Sequence, residues 1–474
     1  VNESPSKHFS EVLAETAQSR RAVAKPKPVA GVRASSGGYF AVAALLTFIS
    51  LILLRTNRDM VALILMGATW VIVPALIATD RLYFDGQLIF RSGLPALFSR
   101  LVRGRRTQIS VADIERVEVA TVRTLRRGGS VRYRYRIELS GQSHSFVFAS
   151  GGGKFRQMVN RLLPQIAEEK LDARACELRD HLTDPKLLSA EVDQLGIATP
   201  ALLEQTEENA RRRIEKRAAA DPHESALDEP QRVQSLRKVA NQLRIAGRLR
   251  ESAEAFRRAL HLSGRDPWLI YEYARLLRSQ AAAFGDARLF SRACAALKLA
   301  QLRGAGDARL LSRIGEGFFE LRQPLRAAKS LRRAIDLDEN SFRAQISLAE
   351  IALSDGKLAH VIHHYHEAAR VASDKATARM ARREAEYYSR LNEDDDYLSA
   401  ELRRMNWLEG AGRIQRLTAR VSFAALLIAL LGSFVDHVVT GVGWALASSS
   451  IIGWSGALLI RKFLSRRRGT DFGV

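Results

Sequence analysis

Cysteine is all but missing from this chain: Cys176 and Cys294 are the two in 474 residues. Two thiols so far apart exclude a disulfide framework and any cysteine-rich metal ribbon, and both are expected as reduced helix residues. Acidic charge is also short, with 51 Asp and Glu against 73 Lys and Arg, for a net charge of +22. Catalytic signatures are absent: no HExxH, CxxC, P-loop or Ser/His/Asp arrangement has the required spacing. The nearest approach to a phosphate loop, Gly151-Gly152-Gly153-Lys154, has the wrong glycine spacing and Phe155 where Ser or Thr is needed. A flexible strand-to-helix connection is expected there. His360, His363, His364 and His366 put two imidazoles at i,i+4, but no Cys, Asp or Glu completes a ligand set, so they are expected to face solvent. These absences predict no enzyme, no cofactor and no metal.

Long apolar runs are present, in two pairs near the two ends. The first pair is Tyr39–Leu54 and Met60–Ala78; the second is Leu417–Val435 and Gly441–Ile460. At 1.5 Å per residue, about 20 apolar residues span a hydrocarbon core of about 30 Å. The third run is the weakest, because it is fully apolar only over Val421–Val435 and Arg420 must snorkel. Only Arg55 and Arg58 lie at the first hairpin tip, and no Lys or Arg lies in Asp436–Thr440. Basic residues crowd the other ends, including Arg81, Arg91 and Arg100 after the second run and Arg461, Lys462 and Arg466 after the fourth. Both termini and the middle are therefore expected on the cytoplasmic side of a cell inner membrane. The stretch before Tyr39 is too long and polar for a signal peptide, and Glu11 and Glu15 suit no organellar transit peptide. Val1 in place of Met fits a bacterial GTG start or a trimmed end. An anionic membrane face attracts basic residues, which accounts for the net charge without a nucleic-acid partner.

After Asp80 the pattern changes to alternation. Strands are expected at Leu82–Phe84, Gln87–Arg91, Thr107–Ser110, Ile114–Val122, Val131–Leu139 and His144–Phe148, followed by a helix over Lys154–Ile166. This order, with its "DRLYFDGQLIF" entry and "ISVADIERVEV" strand, resembles the bacterial pleckstrin-homology-like domains, and the resemblance covers residues 80–167. It implies a small β domain closed by one C-terminal helix and no chemistry of its own. Period two puts Arg132, Arg134 and Arg136 on one side of their strand and Tyr133, Tyr135 and Ile137 on the other. With Arg123, Arg126 and Arg127 in the preceding turn, they form a basic patch that suits anionic lipid or an acidic partner; an ordinary solvated face is the alternative.

Residues 168–230 are polar, helix-forming and punctuated by Pro185, Pro200 and Pro222, and are expected as a charged linker. A repeat follows. Ile314, Gly315, Phe318, Ala327, Leu331 and Ala334 are matched by Leu348, Ala349, Ala352, Val361, Tyr365 and Ala368, at a period of about 34 residues. An earlier unit starts at Val233, a longer one covers Pro267–Gly306, and Lys375–Leu391 with Tyr397–Leu408 reads as a fifth pair or capping helices. The small residues where two helices touch resemble the tetratricopeptide-repeat (TPR) family over about 233–405. That resemblance implies an α-solenoid whose concave groove, lined by the first helix of each pair, binds a protein or peptide. Groove positions are Arg237, Lys238, Asn241, Arg244, Arg309, Arg313, Glu316, Arg343 and Glu350. Arg237, Asn241, Arg309 and Arg313 match places of the family's carboxylate clamp, but Glu272 stands where the clamp has Asn and would repel a carboxylate.

Ala445, Ser449, Gly453 and Ala457 form a small-residue stripe for tight helix packing, within the chain or with another membrane subunit. The expected architecture is a multidomain membrane protein. Its parts are a basic arm (1–38), a hairpin (39–79), the β domain (80–167), the linker (168–230), the solenoid (231–408), a second hairpin (417–460) and a basic tail (461–474). The expected function is a membrane-anchored scaffold or adaptor for an acidic protein or peptide; a subunit of a transport or secretion complex is the alternative.

Overall fold

The computed structural model describes residues 29–34, 37–103, 108–125, 131–142, 144–197, 229–434 and 436–464. Strand β1 (Ala30–Arg33) comes before the first hairpin, helices α1 (Gly37–Arg55) and α2 (Asp59–Thr79). The chain then returns as β2 (Arg81–Phe84), which pairs antiparallel with β1, Val32 opposite Leu82. The sheet thus draws its first strand from the basic arm, and the hairpin is an insertion between neighbouring strands. Its base is tied by a buried Asp80, which accepts from Arg91 at 2.7 and 2.6 Å and from the Tyr39 hydroxyl at 2.8 Å.

β3 (Leu88–Ser92) leads through Gly93 into α3 (Leu94–Arg103), and β4 (Gln108–Ser110) completes a four-stranded sheet in the order β1-β2-β3-β4. Gly93 has a positive φ, and a Cβ there would lie 2.1 Å from the Thr79 carbonyl, so α3 starts hard against the end of α2. Its Leu94, Leu97, Phe98 and Leu101 recur at i, i+3, i+4 and i+7, and all four are exposed. β5 (Ile114–Leu125), β6 (Val131–Gly141) and β7 (Ser145–Ala149) form a second, three-stranded antiparallel sheet. α4 (Gly153–Leu162) packs Phe155, Met158, Val159 and Leu162 onto the core made by Leu82, Phe84, Ile89, Ile137 and Phe148.

A 3-10 turn (Glu168–Lys170), α5 (Ala173–His181) and α6 (Pro185–Gln194) occupy the start of the expected linker. They are not free chain. Ala175, Cys176 and Leu178 join the sheet core, while Leu188 and Val192 pack on the first helix pair of the array. The array itself runs α7 (Glu229–Ala246), α8 (Leu249–Leu262), α9 (Pro267–Phe284), α10 (Ala287–Arg303), α11 (Ala308–Glu320), α12 (Pro324–Leu337), α13 (Phe342–Ser354), α14 (Leu358–Val371) and α15 (Lys375–Glu393). This is an α-solenoid of TPR-like helix pairs. Gly315 lets α11 approach α12 so closely that a Cβ would meet Leu331 at 2.6 Å, and Ala327 and Ala334 are fully buried beside it. Asp266, Asp307 and Asp374 cap helix starts through their carboxylates.

The expected Tyr397–Leu408 helix and the third apolar run are one element, α16 (Asp395–Gly432), which α17 (His437–Leu464) answers. Nothing in between breaks the helix, because Gly410 and Gly412 are tolerated and no proline intervenes. Among the described residues, three helices are long and apolar enough to cross a membrane, Asp59–Thr79, Asp395–Gly432 and His437–Arg461, while the first expected run gives only a shorter apolar stretch, Leu45–Arg55.

Candidate partner-binding groove

The first helices of the pairs, α7, α9, α11 and α13, present a column of arginines. Arg309 and Arg343, 34 residues apart, are each the second residue of their helix and so occupy the same place in their repeats, whereas Arg275 lies two turns further into α9, whose repeat is longer. Into this column the chain inserts its own acidic segment. Glu168 accepts from Arg309 at 2.6 Å and from Arg313 at 2.5 Å. Arg343 donates to the carbonyls of Leu171 (3.0 Å) and Glu168 (3.4 Å), while Glu316 holds its other edge. One step along, Glu177 on α5 lies 3.2 Å from Arg244 and 2.5 Å from Arg275.

The β domain docks beside this segment. Arg116 on β5 pairs with Glu350 at 3.1 Å, and buried Glu115 pairs with Arg383 at 3.0 Å. Lys170 reaches Asp374 at 2.8 Å, and Tyr135 donates its hydroxyl to the Ile245 carbonyl at 2.8 Å. The Val131 amide donates to the carbonyl of Gly247, in the turn between α7 and α8. Sheet, acidic segment and array thus share one continuous polar seam.

Every one of the nine groove residues has its partner within the chain. Arg237 makes a two-pronged pair with Glu272, both bonds at 2.7 Å, and Asn241 donates to the same carboxylate at 2.8 Å. Glu272 therefore does more than repel a clamp ligand, since it consumes two of the four clamp positions. Lys238 pairs with Glu191 of α6, and Arg244, Arg309, Arg313, Glu316, Arg343 and Glu350 are engaged as above. Sequence reasoning missed Glu168 and Glu177 as the occupants, and Arg275 and Arg278 as members of the column. Repeat spacing gave no signal for Arg275 and Arg278, because the helix caps Asp266 and Asp307 stand further apart than Asp307 and Ser341.

The basic patch is divided by strand alternation. β5 continues to Leu125, so Arg123 lies in the strand opposite Tyr133 and faces the array side, not a turn. Arg132, Arg134 and Arg136 are exposed on the opposite face of the sheet; Arg126 and Arg127 lie outside the described residues. The small-residue stripe is divided as well. Ala457 is buried and a Gly453 Cβ would touch Thr418, but Ala445 and Ser449 are exposed. The seam between α16 and α17 follows Gly443, Ala447, Ser450 and Ala457 instead, close to the 3.5-residue repeat of two wrapped helices. Ser450 and Ser422 share a hydrogen bond of 2.8 Å across it. Of the four histidines, His360, His363 and His366 are exposed, whereas His364 is half-buried against Gln345 at 2.9 Å. Among the described residues no group of three or more His, Cys, Asp or Glu is placed to hold a metal.

The seam has a definite electrostatic sign. Burial raises the Glu168 carboxyl, but Arg313 and Arg309 outweigh it and hold the group down at about 2, from an ordinary 4.5. Glu177 is held down at about 2 likewise, burial being overcome by Arg244 and Arg275. Groups depressed by docking stabilise the docked state fully above their undocked value and lose that contribution as pH falls. Amide exchange over the segment from Glu168 to His181, corrected for intrinsic rates, is expected to stay slow at neutral pH. It should accelerate as pH falls from about 4.5 towards 2. Exchange that does not change across this window would remove the two carboxylates from the docking.

No family model matches the chain, and no curated protein matches it. Solved structures that resemble it are helical-repeat proteins. MamA from Desulfovibrio magneticus is 16% identical with a TM-score of 0.27, over 39% of this chain and 93% of that one. A thermophilic TPR protein of Thermus thermophilus is 18% identical with a TM-score of 0.29, over 42% and 98%. Yeast Tom70 is 15% identical with a TM-score of 0.30, over 52% and 50%.

Proposed function

We propose that this protein is a non-enzymatic scaffold of a bacterial inner membrane, anchored by both helical hairpins, whose TPR-like groove recruits a protein presenting an acidic segment. The observation that carries the reading is the groove's own occupant. An arginine column that takes up Glu168 and Glu177 in cis has the chemistry to take up a similar acidic segment in trans. The cis segment then acts as a competitor that a partner must displace, and the β domain, pleckstrin-homology-like in its two sheets and closing helix, moves with it.

Two features support placing the work at a membrane. Helix α3 begins at the end of α2 and turns an apolar stripe outward, the arrangement of a helix lying in the headgroup layer. The exposed face bearing Arg132, Arg134 and Arg136 suits anionic lipid. Ala445 and Ser449, outside the α16–α17 seam, leave room for a further membrane subunit, which keeps a role within a transport or secretion complex as the second reading.

The test is affinity capture of the full chain from native membranes after crosslinking. Glu168→Ala with Glu177→Ala is expected to raise recovery of one specific partner at least about fivefold, by removing the competitor. Arg309→Glu with Arg313→Glu is expected to abolish it. Identical partner profiles for wild type and both variants would rule the groove out. Alkaline carbonate extraction checks the anchors separately: release of the chain from the membrane would remove them.

A further inference from the structure

A cavity of about 440 Å³ lies where β5, β6, α5, α7 and α9 meet. Four arginines line it, Arg123 from β5, Arg174 from α5, Arg244 from α7 and Arg278 from α9, against two carboxylates, Glu177 and Glu320. Arg275 stands behind, sharing Glu177 with Arg244. Arg278 pairs with Glu320, and Arg174 donates to the Thr121 hydroxyl at 2.9 Å. The cationic excess is felt inside: burial, then the positive charges of Arg275, Arg174 and Arg244, push Arg278 down to about 9. Donors are also left over. The Arg244 side chain is more than nine-tenths buried, yet its Nε has no acceptor among the described residues, and neither has Nε of Arg275. Buried donors without acceptors cost about 1–3 kcal/mol each, more when charged.

We propose that this cavity binds a small phosphate-bearing anion, gripped by Arg244 and Arg278 from the array and by Arg123 and Arg174 from the sheet side. Guanidinium forks match phosphate oxygens in pairs, and four arginines facing two carboxylates leave a charge that a phosphate dianion cancels. The volume suits a small molecule and not a length of chain. Tyr133 and Phe290 on the wall give the organic part of a phosphate ester an aromatic surface. Because the arginines come from both sides of the seam, the bound anion clamps sheet and array together. The site depends neither on the acidic partner nor on the membrane anchors.

The experiment is calorimetric titration of the purified full chain, in nanodiscs of zwitterionic lipid, with pyrophosphate and with phenyl phosphate. Both are expected to bind, and Arg244→Gln and Arg278→Gln each to weaken binding at least about tenfold. Arg370→Gln, exposed on α14 and outside the cavity lining, should bind as wild type does. Arg278→Lys, which keeps the charge and guards against a folding defect, should retain an intermediate affinity. Nanodiscs carrying phosphatidylglycerol assign the source: competition with pyrophosphate identifies a lipid headgroup, its lack a soluble phosphate ester, and either result supports the site. No binding by wild type at about 1 mM, or equal binding by both Gln variants, overturns it. Tighter binding of citrate than of pyrophosphate would overturn it as well.

Discussion

Glu177→Gln is expected to destabilise the docked protein by about 3–5 kcal/mol, the cost of stranding buried charge when one member of an ion cluster is removed. Glu177 faces Arg244 at 3.2 Å and Arg275 at 2.5 Å, both guanidiniums more than nine-tenths buried. A neutral amide takes over one hydrogen bond but none of the charge. Arg244, Arg275 and Arg278 then repel one another, and the low-dielectric seam magnifies that repulsion. The control is Asp180→Asn, three residues on and exposed, whose partner Arg179 is its neighbour on the same helix. Exposed pairs of that kind contribute about 0–1 kcal/mol. Chemical denaturation of both variants in one detergent, followed by circular dichroism, separates the cases. Equal midpoints would show that the arginine cluster tolerates loss of its carboxylate.

The second large effect is expected from a residue without a side chain. Gly247, between α7 and α8, has φ +84°, and a Cβ there would lie 1.7 Å from the Val131 carbonyl oxygen. Val131 begins β6 and donates its amide back to the Gly247 carbonyl, so the strand end and the turn are in backbone contact. Backbone has no rotamer to move aside. Gly247→Ala therefore has to push β6 off the array, at a cost of about 3 kcal/mol or more, added to the penalty of a left-handed alanine. Gly285→Ala isolates that second part, since Gly285 has φ +71° and open space where its Cβ would go. Its expected cost is about 1–2 kcal/mol. Differential scanning calorimetry of the two variants measures the difference. Equal losses would mean that β6 does not rest on this turn.

Local periodicities were legible in the sequence. Gly315, Ala327 and Ala334 mark close helix approach because only small residues permit it, and Ala349 and Ala368, 34 residues after Gly315 and Ala334, repeat the constraint. The split between the arginines and tyrosines of β6 follows from alternation alone. The rest depends on tertiary pairing. Four residues, Ala30–Arg33, carry too little pattern to announce a strand, and they become one because the hairpin returns β2 alongside. Glu168 and Glu177 look like ordinary charges of a polar stretch, and their role comes from arginines more than a hundred residues later in one case and some seventy in the other. The groove was legible as basic. What it holds was not, because no local signal ties an acidic segment to a distant array.

The place of β1 ahead of the hairpin has a consequence for the order of synthesis. A chain made from its N-terminus produces Ala30–Arg33 first and must complete both α1 and α2 before the partner strand Arg81–Phe84 exists. Closing so long an intervening stretch is entropically unfavourable for a free coil, whereas an already folded antiparallel hairpin delivers its two ends side by side. Hairpin assembly therefore precedes closure of the sheet. The acidic segment, made next, waits with its carboxylates in water until the arginine column has been translated. The seam that locks the molecule together is among the last contacts to form.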